Sequence, residues 1–140
     1  MAIEDKDGSG NPWAIESHKS ADGQVTLFLS SLPVNETFTG ILRSRPFTIP
    51  GKFSFYLAGH DGEPDHPPVK KNFVRLLAAT SGEVLAKTTP PRSDVAQRIS
   101  WDLGAHAGGK GILEIVDGHD DEGFVWLAVG RLDPPAAALP

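Results

Sequence analysis

Phe47-Thr48-Ile49-Pro50-Gly51-Lys52-Phe53-Ser54-Phe55-Tyr56-Leu57-Ala58-Gly59-His60-Asp61-Gly62 is the stretch whose reading decides the fold. From Phe53 onward apolar residues alternate with polar or small ones, and the run stops at a glycine-rich loop. Three more segments repeat the pattern: Phe73-Val74-Arg75-Leu76, Ile99-Ser100-Trp101-Asp102-Leu103 and Leu113-Glu114-Ile115-Val116-Asp117-Gly118. Period-two alternation broken by Gly, Asp and Pro marks an antiparallel β-sandwich. Such folds carry function in the loops at their ends, and here those loops hold nearly all the His, Asp and Arg residues suited to a polar ligand.

Working outward, Lys52 to Ala58 reads as a core strand with Phe53, Phe55 and Leu57 inward. Before it, Gln24 to Ser30 is a strand with Val25, Leu27 and Leu29 on one face, and Thr37 to Leu42 is a second, with Gly40 as a bulge. Arg45 to Pro50 is a short edge-type segment, because its prolines cannot donate to a ladder. After the core strand, Gly59 to Lys71 is the longest irregular loop. Asn72 to Ala79 and Val84 to Thr89 flank a hairpin turn at Thr80 to Glu83. Val95 to Trp101, Gly111 to Asp117 and Phe124 to Leu132 are the remaining strands. Leu103 to Gly109 reads as a short helical turn capped by Asp102. That makes about eight strands over residues 12–133, with 1–11 expected to be disordered and 134–140 a linker-like tail, as in a domain excised from a longer protein.

The composition narrows the function. A chain of 140 residues suits one domain with its own core. The net charge of -5, with Lys and Arg scattered, argues against nucleic acid. The absence of cysteine removes disulfides, thiolate metal sites and cysteine nucleophiles. No apolar run reaches the length of a membrane span. Localisation stays open, with an exported or envelope-associated parent protein as one option.

Taken in order, Thr39-Gly40, Ser44, Pro46-Phe47-Thr48-Ile49, Phe53 to Gly59, Val74-Arg75-Leu76, Gly82-Glu83-Val84-Leu85, Ser100-Trp101-Asp102-Leu103, Gly111, Leu113 to Asp117 and Trp126-Leu127 resemble the galactose-binding-like β-sandwich. That fold is common in carbohydrate-binding modules and in sandwiches found with levanase-type enzymes. Gly59-His60-Asp61-Gly62 and Ser93-Asp94-Val95-Ala96-Gln97 are similar to stretches in large planctomycete proteins that also carry cytochrome-c-like segments. The resemblance covers roughly residues 12–133. It implies a jelly-roll type sandwich and a sugar-binding role; its motifs are structural more than catalytic.

Sugar hydroxyls both donate and accept, so a sugar site needs planar hydrogen-bonding groups at loop ends. His60 and Asp61 supply them at a strand end. An Asx turn explains Asp61 equally well, whereas the binding role is favoured for His60. With Val74 and Leu76 facing the core, Arg75 faces the opposite surface beside Phe73 and Leu77. It either lines a groove, the reading favoured here, or pairs with Asp94 or Glu114. Arg92 and Asp94 share one loop and suit a ligand, although solvated charge is the commoner explanation. Asp117 and His119 open the acidic run to Gly123. A Ca²⁺ site there competes with a solvated hairpin loop, and the spacing is not that of an EF-hand. Trp101 and Trp126 lie inside apolar strands and are expected in the core.

The sequence therefore points to a non-catalytic carbohydrate-binding module, with its site in loops 59–68, 90–94 and 117–123 and Arg75 alongside. The alternative is a structural sandwich that docks neighbouring domains and binds no small ligand. A hydrolase would need two carboxylates facing across a cleft. The expected partners are a glycan and the neighbouring domains, and no cofactor is expected unless Ca²⁺ is held.

Overall fold

A computed structural model describes residues 2–4, 14–30, 40–61, 72–118 and 125–133. Eleven strands follow in chain order: β1 (Ala2–Glu4), β2 (Ala14–Lys19), β3 (Val25–Ser30), β4 (Gly40–Arg43), β5 (Phe47–Thr48), β6 (Lys52–Asp61), β7 (Asn72–Ala78), β8 (Val84–Thr88), β9 (Ser93–Asp102), β10 (Lys110–Asp117) and β11 (Val125–Asp133). They form two antiparallel sheets. One runs β1-β4-β10-β7-β8, with β5 also on β10; the other runs β2-β3-β11-β6-β9.

The all-β antiparallel sandwich is as expected, and the described residues carry eleven strands where about eight are read from the sequence. The additions are short or atypical. Ala2–Glu4, inside the segment expected to be disordered, pairs with β4. Phe47–Thr48 pairs for two residues with β10. Ala14–Lys19 pairs with β3 along its whole length. Gly40, expected as a bulge, pairs in register with Asp117. The segment from Leu103 to Gly109 is a series of turns rather than a helical turn, although Gly104 N–H does donate to Asp102 Oδ1 at 3.1 Å.

Between the sheets lies the main core. Leu42, Val74, Leu76, Leu113 and Ile115 project from the six-stranded sheet; Leu29, Phe53, Phe55, Leu57, Trp101, Leu127 and Val129 project from the five-stranded one. Within each strand these residues share one period-two face. Trp101 is buried as expected, edge-on to Phe55, and its indole N–H donates across the layer to Thr88 Oγ1 at 2.9 Å. That bond satisfies the one polar atom a buried Trp carries.

The five-stranded sheet has a second apolar face. Phe28, Trp126, Ala58, Ala96 and Ala128 are all buried on the side away from the main core. They can be buried because the sheet curls until its edge strands meet. Ser20, just past β2, forms a parallel bridge to Ala96 in β9, and Ala21 N–H donates to the Ala96 carbonyl at 2.8 Å. The curl requires small residues beneath two large rings. A Cβ on Gly130 would stand 2.9 Å from the Phe28 ring. Arg131, left-handed at φ 54° in the bulge that follows Gly130, clasps the closure from outside. Its guanidinium lies 4.1 Å from the Tyr56 ring centroid and its Nη1 is 2.8 Å from Asp22 Oδ2 in the β2–β3 turn.

Gly59 is a position that glycine fills for a backbone reason. It sits at the shift in register between β6 and β9 with φ +127°, and a Cβ there would overlap the Trp126 carbonyl and stand 2.7 Å from Leu127 Cα. Gly59→Ala is expected to cost about 3 kcal/mol from backbone strain, read as a lowered urea midpoint. Gly51→Ala, with open space around its Cβ, should leave the midpoint nearly unchanged.

Asp22 offers a test of the clasp. The hydrogen bond from Arg131 holds its carboxyl below the usual value of 3.8. A depressed carboxylate contributes stability above its unfolded pKa and loses it as pH falls through the folded one. The difference in urea midpoint between the protein and Asp22→Asn is therefore expected at neutral pH and should shrink below pH 3.8. A gap independent of pH would exclude the ionic clasp.

Candidate functional site

Strand direction gathers five connections at one end of the sandwich: 5–13, 31–39, 62–71, 89–92 and 119–124. His60 and Asp61 close β6 there, Asn72 opens β7, Asp94 lies one residue into β9, and Asp117 closes β10. The described strand ends that border the three loops singled out in the sequence thus lie at one end. His119 and residues 62–68 lie outside the described residues, as does the Asp61 side chain.

His60 and Asp94 are 34 residues apart and meet as a pair. His60 Nε2 donates to Asp94 Oδ1 at 2.8 Å. The two ends of this bond differ in environment: the His60 side chain is 9% exposed and that of Asp94 is 83% exposed. The His60 ring leans on Trp126, with centroids 5.8 Å apart, so the closed face of the curled sheet fixes the donor. An exposed carboxylate is thereby anchored by a buried imidazole. Two residues earlier, Arg92 is left-handed at φ 59°, a conformation that costs a non-glycine residue about 1 kcal/mol or more. The Pro90-Pro91 run and the turn into β9 hold it there. His60, Asn72, Arg92 and Asp117 each have at least one further partner.

Asp117 is not a loop residue. It is 1% exposed at the end of β10, directly opposite Asn72, whose Oδ1 accepts from Gly118 N–H at 3.1 Å. The Ca²⁺ reading concerned the run 117–123, of which Asp117 and Gly118 alone are described. Among the described residues no group of three or more side chains could hold a metal ion.

Arg75 points away from the main core, as its neighbours Val74 and Leu76 require. It pairs with Glu114, one of the two acids considered, and not with Asp94. Glu114 is fully buried between two guanidinium groups: Arg75 Nε and Nη2 reach Oε1 at 2.7 and 2.6 Å, and Arg43 Nε and Nη2 reach Oε2 at 2.6 and 2.5 Å. The register makes this inevitable, since Glu114 stands opposite Arg43 on one side and Arg75 on the other. Next in the row comes Lys87, and both it and Arg75 lie over the Phe73 ring, at 4.3 and 5.1 Å. Arg75 is on the outer face of the six-stranded sheet, and His60 on that of the five-stranded sheet. A single cleft lined by both residues does not form.

Sequence reasoning missed the partner of His60 across Trp126. His18 stacks on the other side of that indole, centroids 5.3 Å apart, and pairs with Glu16, which also accepts from Ser30 Oγ at 3.3 Å. The polar alternation in Ala14–Lys19 was the available signal, but without the curl nothing indicated that His18 faces an apolar cluster. Trp126 is 5% and Trp101 9% exposed, so neither offers a free ring to a sugar.

No protein-family model matches the sequence, and no curated protein matches it. Among solved structures, the cleaved K2 adhesin domain of Lys-gingipain (Kgp) is similar at 19% identity and TM-score 0.60, over 94% of this chain and 87% of that one. A carbohydrate-binding module from Cellvibrio mixtus lichenase 5A, solved with cellotriose, is similar at 12% identity and TM-score 0.44, over 93% and 96%. A family 6 carbohydrate-binding module from Clostridium cellulolyticum, solved with xylose, is similar at 13% identity and TM-score 0.38, over 94% of both chains. At 0.60 the likeness to the adhesin domain is one of fold: the chain is an antiparallel β-sandwich of that kind over nearly its whole length.

Proposed function

We propose that this protein is a non-catalytic carbohydrate-binding module whose ligand sits at the end of the sandwich where Asp94, His60 and Arg92 meet. The observation that carries the reading is the His60–Asp94 pair. A carboxylate that is mostly exposed yet held at 2.8 Å by a buried imidazole is a fixed hydrogen-bond acceptor facing solvent. A fixed acceptor loses little rotamer entropy on binding, which favours recognition of sugar hydroxyls. The strained backbone at Arg92 supports the same place, because strain is retained where surrounding structure enforces it. Asp61 and His119 belong to the proposed rim, and the buried Asp117 would support it from the end of β10. With the described tryptophans buried, binding rests on charge-assisted hydrogen bonds more than on ring stacking. Single-module affinity is then weak and gains from multivalent display. The fold neighbour, an adhesin domain, is consistent with attachment to a surface. Arg75 is proposed as a separate contact on the opposite face, where it would meet only a ligand long enough to leave the loop end.

A second reading is supported by a different observation. Ile15, Val25 and Leu27 are 55%, 64% and 68% exposed on neighbouring strands β2 and β3. Their face continues that of the buried Leu29. Exposed apolar residues grouped in this way favour docking against a neighbouring domain.

A glycan array probed with the purified protein, with Ca²⁺ and again with chelator, separates the two. The expected outcome is a hit whose apparent affinity falls about tenfold or more in Asp94→Ala, with the fold retained and the melting temperature modestly lowered, because the buried His60 Nε2 loses its acceptor. Loss of the hit in chelator would add a metal. A blank across neutral and acidic glycans would overturn the carbohydrate reading and leave the apolar strip as the working surface.

A further inference from the structure

The outer face of the five-stranded sheet carries a second recess, away from the loop end and beyond the Arg131 clasp. It is lined by Lys52, Phe53, Ser54, Arg98, Ser100 and Asp133 and has a volume of about 160 Å³. Its origin lies in the register. Ser54 stands opposite Ser100 on one side and Asp133 on the other, so short side chains occupy the centre of three adjacent strands. Along β6 the row before holds Lys52, and the row after, where Tyr56 faces β9, holds Arg98. These rows are four residues apart, about 13 Å along the strand, close enough for two long side chains to lean in from either end. Ser54 is 8% exposed.

The charges around this recess are unspent. Glu114 is shared by Arg43 and Arg75, and Arg131 pairs with Asp22. Lys52, Arg98 and Asp133, by contrast, enter no ion pair among the described residues, and the Ser54 hydroxyl enters no hydrogen bond there. Lys52 and Arg98 against Asp133 leave the lining with one net positive charge in a protein of net charge -5. Two hydroxyls and one carboxylate beside them can accept from and donate to ligand hydroxyls. The volume equals the liquid share of about five water molecules, at ~30 Å³ each, which suits one sugar ring and not a chain segment.

We propose that this recess is a binding site for a sugar acid. The carboxylate of a hexuronate would lie against Arg98 and Lys52, and its ring hydroxyls against Ser54, Ser100 and Asp133. The site is independent of the loop-end reading: it uses other residues on other parts of the strands, and either can fail alone.

The test is an amide ¹H–¹⁵N NMR titration of the purified protein at constant ionic strength with glucuronate, glucose, acetate and sulfate in separate arms. Glucuronate is expected to shift the amides of Ser54, Arg98 and Ser100. Glucose, which lacks the carboxylate, and acetate, which lacks the hydroxyls, should each bind about tenfold more weakly or worse. Arg98→Ala should weaken glucuronate by a similar factor. Ser100→Leu, which fills the recess from an exposed position, should abolish the shifts with the melting temperature preserved. Equal responses to acetate, sulfate and glucuronate would reduce the recess to a non-selective anion patch and overturn the proposal. Shifts confined to Ser93–Val95 would assign the sugar acid to the loop end and overturn it too. An absence of shifts would do the same.

Discussion

Burial of the five-stranded sheet on both faces is the constraint on which the rest of the structure depends. One face meets the other sheet across Phe53, Phe55, Leu57, Leu127 and Val129. The opposite face would ordinarily be solvated. Here it encloses Phe28 and Trp126 because β2 and β9 meet at Ser20 and Ala96. The closure works only with Ala58, Ala96, Ala128 and Gly130 beneath the rings, since longer side chains on those strands would hold the edges apart. Once closed, the sheet fixes Trp126, and Trp126 fixes the imidazoles of His18 and His60 on either side. The exposed Asp94 carboxylate inherits its position from that packing through a single hydrogen bond.

The six-stranded sheet solves a different problem with charge. Its outer face must carry polar residues, yet β10 is its central strand, flanked by β4 and β7. Glu114 there is fully buried, and a lone buried carboxylate would be costly. Two guanidinium groups from the flanking strands engage one oxygen each, both in forked geometry. Removing either arginine would leave the acid half satisfied, and removing Glu114 would bring two cations together. The triad therefore favours one register among β4, β10 and β7, since a one-residue slip of β10 would send Glu114 to the core face and leave Arg43 and Arg75 without their acceptor. In this role Arg75 is occupied as a structural partner, and ligand contact could use only the part of its guanidinium that Glu114 leaves free.

The sandwich was legible in the sequence where alternation was clean. Phe53-Ser54-Phe55-Tyr56-Leu57 and Val74-Arg75-Leu76 assign faces unambiguously, and Trp101 and Trp126 are buried as the apolar flanks implied. Phe28-Leu29 was not legible in the same way. Two adjacent large apolar residues in a strand must face opposite sides, and period-two reading cannot say that both sides are interior. Val25 and Leu27 show the converse: they share a face with buried Leu29 but lie 64% and 68% exposed, so a shared face does not by itself mean burial. The three strands missed by pattern reading are two or three residues long or, in Ala14–Lys19, polar at most positions.

The candidate site was legible by location and not by pairing. Strand ends can be grouped once strand direction is known, so the common end of His60, Asp94 and Asp117 follows from topology. Which side chains touch depends on register, and register is a long-range property. His60 meets Asp94 because β6 and β9 are neighbours, and a shift of register at Gly59 moves the two out of direct opposition. Without that shift the pairing of Leu57 with Gln97 would continue regularly, and His60 would stand opposite Asp94 with the strands' alternation intact. With it, Ser93 stands opposite Gly59, and Asp94 reaches the His60 ring from a displaced backbone. A glycine placed for a backbone reason thus sets the geometry of the most exposed acceptor at this end of the fold, which ties the stability of the curled sheet directly to the shape of its rim.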